Sequence, residues 1–110
     1  MSDHYFANYP NLRFERRDNG VLLLTIDRPE HYNATDAPLH YGLSRVWDDI
    51  HDDDDTRVVV ITGQGDAFSA GGDVRELVAW GKSDPERGRR AFADEYRLNW
   101  TLECFTKPTI

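Results

Sequence analysis

Two short aliphatic runs constrain the fold of this chain most. Residues 21–24 read Val-Leu-Leu-Leu and residues 58–61 read Val-Val-Val-Ile. The second run, which extends over 57–62, is typical of a strand buried on both faces in an α/β fold. An alternating segment at 12–17 and an Asp-Asn-Gly turn signal at 18–20 precede the first run, which extends to Asp27. This order predicts that the chain opens with a β-hairpin.

A helix is predicted to follow Asp36, which can cap it. Pro38 then falls in the first turn, where proline is tolerated. The apolar positions recur at three- and four-residue spacing, as one buried face requires: Leu39, Leu43, Val46, Trp47 and Ile50. Four aspartates at 52–55 come next, and their mutual repulsion favours a solvated turn over a calcium loop, because the glycine and terminal glutamate of an EF-hand are missing.

Two further helices are predicted, one from Asp73 to about Gly81 and a longer one from Pro85 to Phe105. The inward face of the longer helix is expected at a step of four residues: Phe92, Tyr96, Trp100 and Cys104. The whole order is strand, strand, helix, strand, helix, helix. An α/β fold in a single domain follows from this order and from a length of 110 residues.

Composition excludes several classes of function. Twenty acidic against 13 basic residues give a net charge of −7, which argues against nonspecific binding to nucleic acid or to anionic membranes. The apolar runs are too short to cross a bilayer, so a cytoplasmic location is expected. With Cys104 as the single cysteine, neither an internal disulfide nor a cysteine zinc cage is possible, no metal site is expected, and a buried structural thiol is the expected role.

The segment 62–77 carries the strongest functional signal, because a buried strand passes through small residues into a helix there. The backbone N–H of Gly72, at the opening of the helix after Asp73, would point into free space with the positive end of the helix dipole behind it. That arrangement is half of an oxyanion hole. The alternative is a flexible turn at 70–72 with Asp73 acting only as a helix cap. The glycine spacing fits neither a dinucleotide-binding loop nor a P-loop.

Several motifs resemble those of one known family. They are Arg28-Pro29-Glu30 with Asn33-Ala34, then Val60-Ile61-Thr62-Gly63, then Ala67-Phe68-Ser69-Ala70-Gly71-Gly72-Asp73-Val74, and finally Lys107-Pro108-Thr109-Ile110. Their order and spacing resemble the N-terminal half of the crotonase (enoyl-CoA hydratase/isomerase) superfamily. The resemblance implies the N-terminal portion of a ββα spiral. Residues 1–110 would then form part of an acyl-CoA-binding domain, ending before its second oxyanion-hole segment.

The resemblance also implies roles for individual residues. Gly72 would hold the thioester oxygen of an acyl-CoA through its N–H group. Arg28 and Arg75 would meet the phosphates of coenzyme A, although a surface ion pair is the alternative for each. Glu30 would repel a phosphate unless it turns outward, and His31 could compensate. The coenzyme A contacts implied as a set are Arg28, Glu30, His31, Ala34, Ser69, Ala70, Gly71, Asp73, Val74 and Arg75.

The resemblance implies an enzyme of the hydratase/isomerase type, a lyase, with coenzyme A entering as part of the substrate and no permanently bound cofactor. The complete protein would form trimers or hexamers. The catalytic carboxylates are expected beyond Ile110, so the 110-residue chain alone should be inactive. Glu76 and Glu95 give no sequence reason to face Gly72, and no catalytic acid or base is assigned. The alternative is a non-catalytic module that binds acyl-CoA or a partner.

Overall fold

The computed structural model describes residues 3–110, which form one three-stranded sheet and three α-helices. Short 3-10 turns lie at Phe6–Asn8, Asp18–Gly20 and Pro29–His31. The main elements in chain order are β1 (Leu12–Arg16), β2 (Val21–Ile26), α1 (Ala37–His51), β3 (Val58–Gly63), α2 (Val74–Ser83) and α3 (Pro85–Cys104). The predicted order of strands and helices is confirmed.

The sheet has the order β1-β2-β3, with β1 antiparallel and β3 parallel to β2. The predicted hairpin is therefore confirmed. Its turn contains Asn19 and Gly20 with φ values of 63° and 78°, in the left-handed region that asparagine and glycine tolerate. Gly20 is also required for space, because a Cβ there would lie 2.7 Å from the Arg57 side chain.

The prediction that β3 is buried on both faces is wrong. In β3, Val59 is fully buried, whereas Val60 is half-buried and Thr62 is exposed. The core lies on one face of the sheet, where alternate residues of β2 (Leu22 and Leu24) pack with α1. β3 is an outer strand of this sheet, and residues 108–110 pair with it. Val59 donates to Pro108 O at 3.0 Å, and Ile61 donates to Ile110 O at 2.9 Å.

Helix α1 begins and packs as predicted. The Leu39 N–H donates to Asp36 Oδ1 at 3.0 Å, which satisfies one of the free amides of the first turn. All five predicted apolar positions are buried, and they form the helical side of the core.

Among residues 3–110, no helix combines the length and the apolar composition needed to cross a bilayer.

The aspartate run after α1 contains one residue that departs from the prediction. Asp52, Asp54 and Asp55 are exposed, as a solvated turn requires, but Asp53 is buried. Its carboxylate accepts hydrogen bonds from Tyr5 Oη and Arg16 Nη2, both at 2.8 Å. Burial opposes ionisation of Asp53, but these hydrogen bonds outweigh it and hold the pKa of the carboxyl below its usual range.

The predicted inward face of α3 is wrong. Phe92, Tyr96 and Trp100 are each more than two-thirds exposed, and Cys104 is exposed rather than a buried thiol. The less exposed side of α3 alternates steps of three and four: Ala91, Asp94, Leu98, Thr101 and Phe105. A constant step of four turns by about 40° per step around a helix of 3.6 residues per turn, so it leaves the buried side.

Candidate functional site

The turn before α2 presents a free backbone amide at Gly72. The neighbouring groups are paired, since Thr35 N donates to Gly71 O at 2.7 Å and Asp73 N donates to Thr35 O at 3.0 Å. Within residues 3–110, the Gly72 N–H donates to no protein acceptor. Asp73 caps α2 by accepting from Arg75 N at 3.1 Å. The Gly72 amide therefore lies at the positive end of a ten-residue helix, free to bind a ligand oxygen.

Asn33 holds this turn in place. Its side chain is fully buried, and its Nδ2 donates to Gln64 O at 3.0 Å and to Ala67 O at 2.8 Å. Its Oδ1 accepts from Arg28 N at 2.8 Å. The side chain thus joins the loop after β2 to the loop after β3. No role was predicted for Asn33 itself, and the only signal was its place in the Arg-Pro-Glu and Asn-Ala motif.

Arg28 lies inside the site, with a side chain only 12% exposed. Its Nε lies 3.3 Å from Asp36 Oδ2, and its Nη1 lies 3.3 Å from Asp73 Oδ2 and donates to Ala34 O at 2.8 Å. Burial opposes ionisation of Asp73, but the hydrogen bonds from Arg28 and from the first amides of α2 hold its pKa below the usual range. Arg28 therefore ties together the residues that cap α1 and α2.

The other residues predicted to contact coenzyme A lie around the same two loops. Arg75, 77% exposed, places its Nη2 at 3.1 Å from His31 Nδ1, while Glu30 points to solvent. Ser69 Oγ donates to Asn33 O at 2.8 Å. Ala70, Gly71 and Val74 are exposed, and Ala34 and Ser69 are half-buried. The fold thus brings the two predicted segments, 28–34 and 69–75, together.

A cavity of about 690 Å³ opens beside Gly72, between the start of α1 and the two helices α2 and α3. Apolar side chains line much of it, among them Leu77, Trp80 and Phe92. Among residues 3–110, no three His, Cys, Asp or Glu side chains lie close enough together to hold a metal ion. The arrangement offers a backbone hydrogen-bond donor at the wall of a largely apolar chamber, which suits an elongated ligand carrying a carbonyl oxygen.

One polar pair in this cavity was missed by the sequence analysis. His40 Nε2 of α1 lies 2.9 Å from Glu95 Oε2 of α3, and both residues line the cavity together with Gly72. The wrong inward face assigned to α3 hid this contact. Glu76 has a structural contact instead, since its Oε2 accepts from Ala37 N at 3.1 Å at the start of α1.

Comparison with known proteins decides the family. A family model described as enoyl-CoA hydratase/isomerase matches residues 21–110. The chain belongs to the enoyl-CoA hydratase/isomerase family. The predicted superfamily and its α/β fold class are thereby confirmed.

Members of the family with different names resemble the chain to similar degrees. Probable 3-hydroxyisobutyryl-CoA hydrolase 2 of Arabidopsis thaliana is 35% identical over 107 residues, covering 94% of this chain and 28% of the relative. Small ribosomal subunit protein mS47 of Schizosaccharomyces pombe is 33% identical over 95 residues, covering 84% of this chain and 22% of the relative. The chain thus spans about a quarter of the length of these family members.

Solved structures of the family support the fold independently. The crystal structure of an enoyl-CoA hydratase/isomerase from Mycobacterium paratuberculosis superposes with a TM-score of 0.81 and 31% identity. The match covers 90% of this chain and 39% of that structure. The sheet and helices described above therefore correspond to a recurrent part of the family fold.

Proposed function

We propose that the complete protein is an acyl-CoA enzyme of the hydratase/isomerase type, a lyase, in which Gly72 binds the thioester carbonyl oxygen. The observation that carries this proposal is the Gly72 amide, which has no acceptor within residues 3–110 and lies at the wall of the cavity. The N-terminus of α2 directly follows it and adds partial positive charge.

The chemistry of such thioesters explains why this amide matters. Addition of water to an α,β-unsaturated thioester, or removal of a proton next to its carbonyl, builds negative charge on the carbonyl oxygen. A fixed N–H donor stabilises that charge more in the transition state than in the bound substrate, and so lowers the barrier. The short backbone bonds between Thr35 and its neighbours Gly71 and Asp73 keep the donor in position before the substrate arrives.

In this proposal the loops 28–34 and 69–75 bind coenzyme A. Arg75, paired with His31 at the surface, offers an exposed guanidinium to a phosphate. Arg28 would reach a phosphate only by exchanging one of its protein partners, Asp36 or Asp73. The outward direction of Glu30 removes the repulsion expected from an acid in this loop.

The proposal also covers the remaining catalytic groups, the cofactor, the location and the assembly of the complete protein. We expect the second oxyanion donor and the catalytic carboxylates from residues of a longer polypeptide that follow Ile110, so residues 1–110 alone should be inactive. Coenzyme A enters with the substrate, and no permanently bound cofactor is invoked. The complete protein is proposed to work in the cytoplasm as a trimer or hexamer.

The test compares two substitutions at Gly72 in the full-length protein. Gly72→Pro removes the N–H donor, whereas Gly72→Ala keeps it and places a Cβ 3.3 Å from Leu77 Cδ1, the end of a side chain. Turnover of crotonyl-CoA and of 3-hydroxyisobutyryl-CoA is measured for both, with circular dichroism to confirm folding. We expect kcat to fall by about 10²–10³ in Gly72→Pro only. Wild-type turnover in folded Gly72→Pro would contradict the proposal.

A second candidate is a non-catalytic module that binds acyl-CoA or a macromolecular partner. The observation that favours it is the similarity to a ribosomal protein of Schizosaccharomyces pombe. The two candidates differ in one measurement on the full-length wild-type protein. Tight binding of crotonyl-CoA without turnover of either thioester would favour the module, and turnover would favour the enzyme.

A further inference from the structure

We infer that His40 and Glu95 form a specificity-determining pair that binds a hydroxyl group on the acyl part of the ligand. This inference rests on the proposed function, because it takes the thioester oxygen to be bound at Gly72. Both side chains line the same cavity as Gly72, and they are held 2.9 Å apart, Nε2 to Oε2.

The hydrogen-bonding capacity of the pair points to a hydroxyl. An ionised carboxylate can only accept hydrogen bonds, so His40 Nε2 donates to Glu95 Oε2. Within residues 3–110, His40 is the only hydrogen-bond partner of the Glu95 carboxylate, so Oε1 remains an acceptor for a ligand. His40 is 19% exposed and Glu95 is 52% exposed, so the pair is accessible yet partly shielded.

The other carboxylates that line the cavity already have partners, since Asp36 caps α1, Asp73 caps α2 and both pair with Arg28. Arg89, which is 75% exposed, has donors but no acceptor atom to offer a hydroxyl hydrogen. The remaining walls carry apolar side chains such as Leu77 and Phe92, which suit the methylene groups of an acyl chain. The pair therefore distinguishes an acyl group that carries a hydrogen-bond donor from one that does not.

A second polar pair between α1 and α3 serves as a comparison for a purely structural role. Asp48 Oδ2 and Arg97 Nη2 join these helices at 2.8 Å, but neither residue lines the cavity. If the pair only fastened α3 to α1, breaking either contact should have the same effect on ligand binding. If the pair binds a hydroxyl of the acyl group, only the loss of His40 or Glu95 should change the selectivity for hydroxyacyl thioesters.

The experiment measures calorimetric binding of butyryl-CoA and 4-hydroxybutyryl-CoA to the full-length protein. These thioesters differ by one hydroxyl, and neither can lose water across the α,β-bond, so the proposed reaction does not consume them. We expect the wild type to bind the hydroxyacyl thioester about tenfold more tightly, as one hydrogen bond to a half-exposed carboxylate would give. Glu95→Leu should abolish that preference while binding of butyryl-CoA persists. Asp48→Leu, the matched control, should keep it. His40→Phe should reduce it and replaces Glu95→Leu if that variant fails to fold.

Equal binding of the two thioesters by the wild type would overturn the inference, as would equal loss of preference in Asp48→Leu. In both cases acyl-CoA binding itself persists, so the proposed function would stand. If the folded wild-type protein binds neither thioester, the proposed function fails, and this inference fails with it.

Discussion

Two regions of the molecule use their apolar residues differently. The β–α1 body, residues 12–63, buries its aliphatic side chains in one core between the sheet and α1. The helical arm, residues 74–104, has Trp80 as its one buried residue within the described chain, and α3 has none. Apolar side chains of the arm face solvent or line the cavity. The body therefore holds the core of the fold, whereas the arm supplies most of the residues that line the cavity.

The contacts between the two regions agree with this division. The arm packs one half-buried residue, Leu98, against the core, and Phe105, just after the end of α3, packs there as well. Charged pairs such as Asp48–Arg97 supply further contacts, but exposed pairs contribute only about 0–1 kcal/mol each. Substitutions should therefore have large effects on stability in the body and small ones in the arm.

The strongest test of this contrast applies one substitution in both regions. Leu24→Ala, at a fully buried position of β2, should lower the free energy of unfolding by about 2–5 kcal/mol through lost burial and a residual cavity. Leu77→Ala, at a half-exposed position of α2, should cost less than about 1 kcal/mol. Urea unfolding measures both values. Equal losses would contradict the contrast.

A second substitution tests the Asn33 side chain, which joins the loop after β2 to the loop after β3. Asn33→Ala leaves the Gln64 and Ala67 carbonyls and the Arg28 amide without their partner, and we expect a loss of about 2–3 kcal/mol in the free energy of unfolding. Ser69→Ala is the control: it removes the hydrogen bond that Ser69 Oγ donates to Asn33 O and the exposed one that it accepts from Gly71 N, but it leaves the Asn33 side chain in place. It should cost about 1 kcal/mol. Similar losses in the two variants would show that the Asn33 side chain does not hold the two loops together.

A third test uses pH. The pKa of Asp53 is lower in the folded protein than its ordinary value of 3.8, so its stabilising effect is fully present above that value and is lost as the pH falls through the folded pKa. Asp53→Asn should lower the free energy of unfolding by about 1–2 kcal/mol at neutral pH, and this loss should shrink as the pH falls below 3.8. Asp54→Asn, at an exposed position, should change the free energy of unfolding at neutral pH by less than about 0.5 kcal/mol.

The smallest effect is expected on the exposed side of α3. Tyr96→Ser removes an aromatic ring that is 77% exposed, so the free energy of unfolding should change by less than about 0.5 kcal/mol. Thermal unfolding followed by circular dichroism measures it. A loss above about 2 kcal/mol would mean that Tyr96 packs against other residues and that the arm has a core of its own.

Local patterns predicted the body well. The turn at 18–20, the cap at Asp36 and the apolar spacing of α1 each depend on residues near one another in sequence, and each is confirmed. The face of α3 was predicted wrongly because its aromatic residues do not mark the buried side. Burial there depends on which residues of α1 lie opposite, as with Asp94 and Arg45.

The candidate site was predictable only where it consists of a backbone group. The small residues before Asp73 indicated a free amide at Gly72, and the structure has one. The hydrogen bond from Asn33 to Gln64 and the His40–Glu95 pair join residues more than 30 positions apart. No local pattern marks such contacts, because they arise only when the strands and helices assemble.

The pairing of β3 with residues 108–110 bears on how the fold tolerates change in length. Between them the chain runs through the whole helical arm, so this pairing closes a long loop. The entropy lost on closing a flexible loop grows only with the logarithm of its length, by about 0.6 kcal/mol for each doubling. Insertions or deletions in the arm should therefore disturb the sheet little while changing the chamber that the arm encloses. Changes in the arm could therefore alter which ligands fit the cavity while the sheet and its core stay folded.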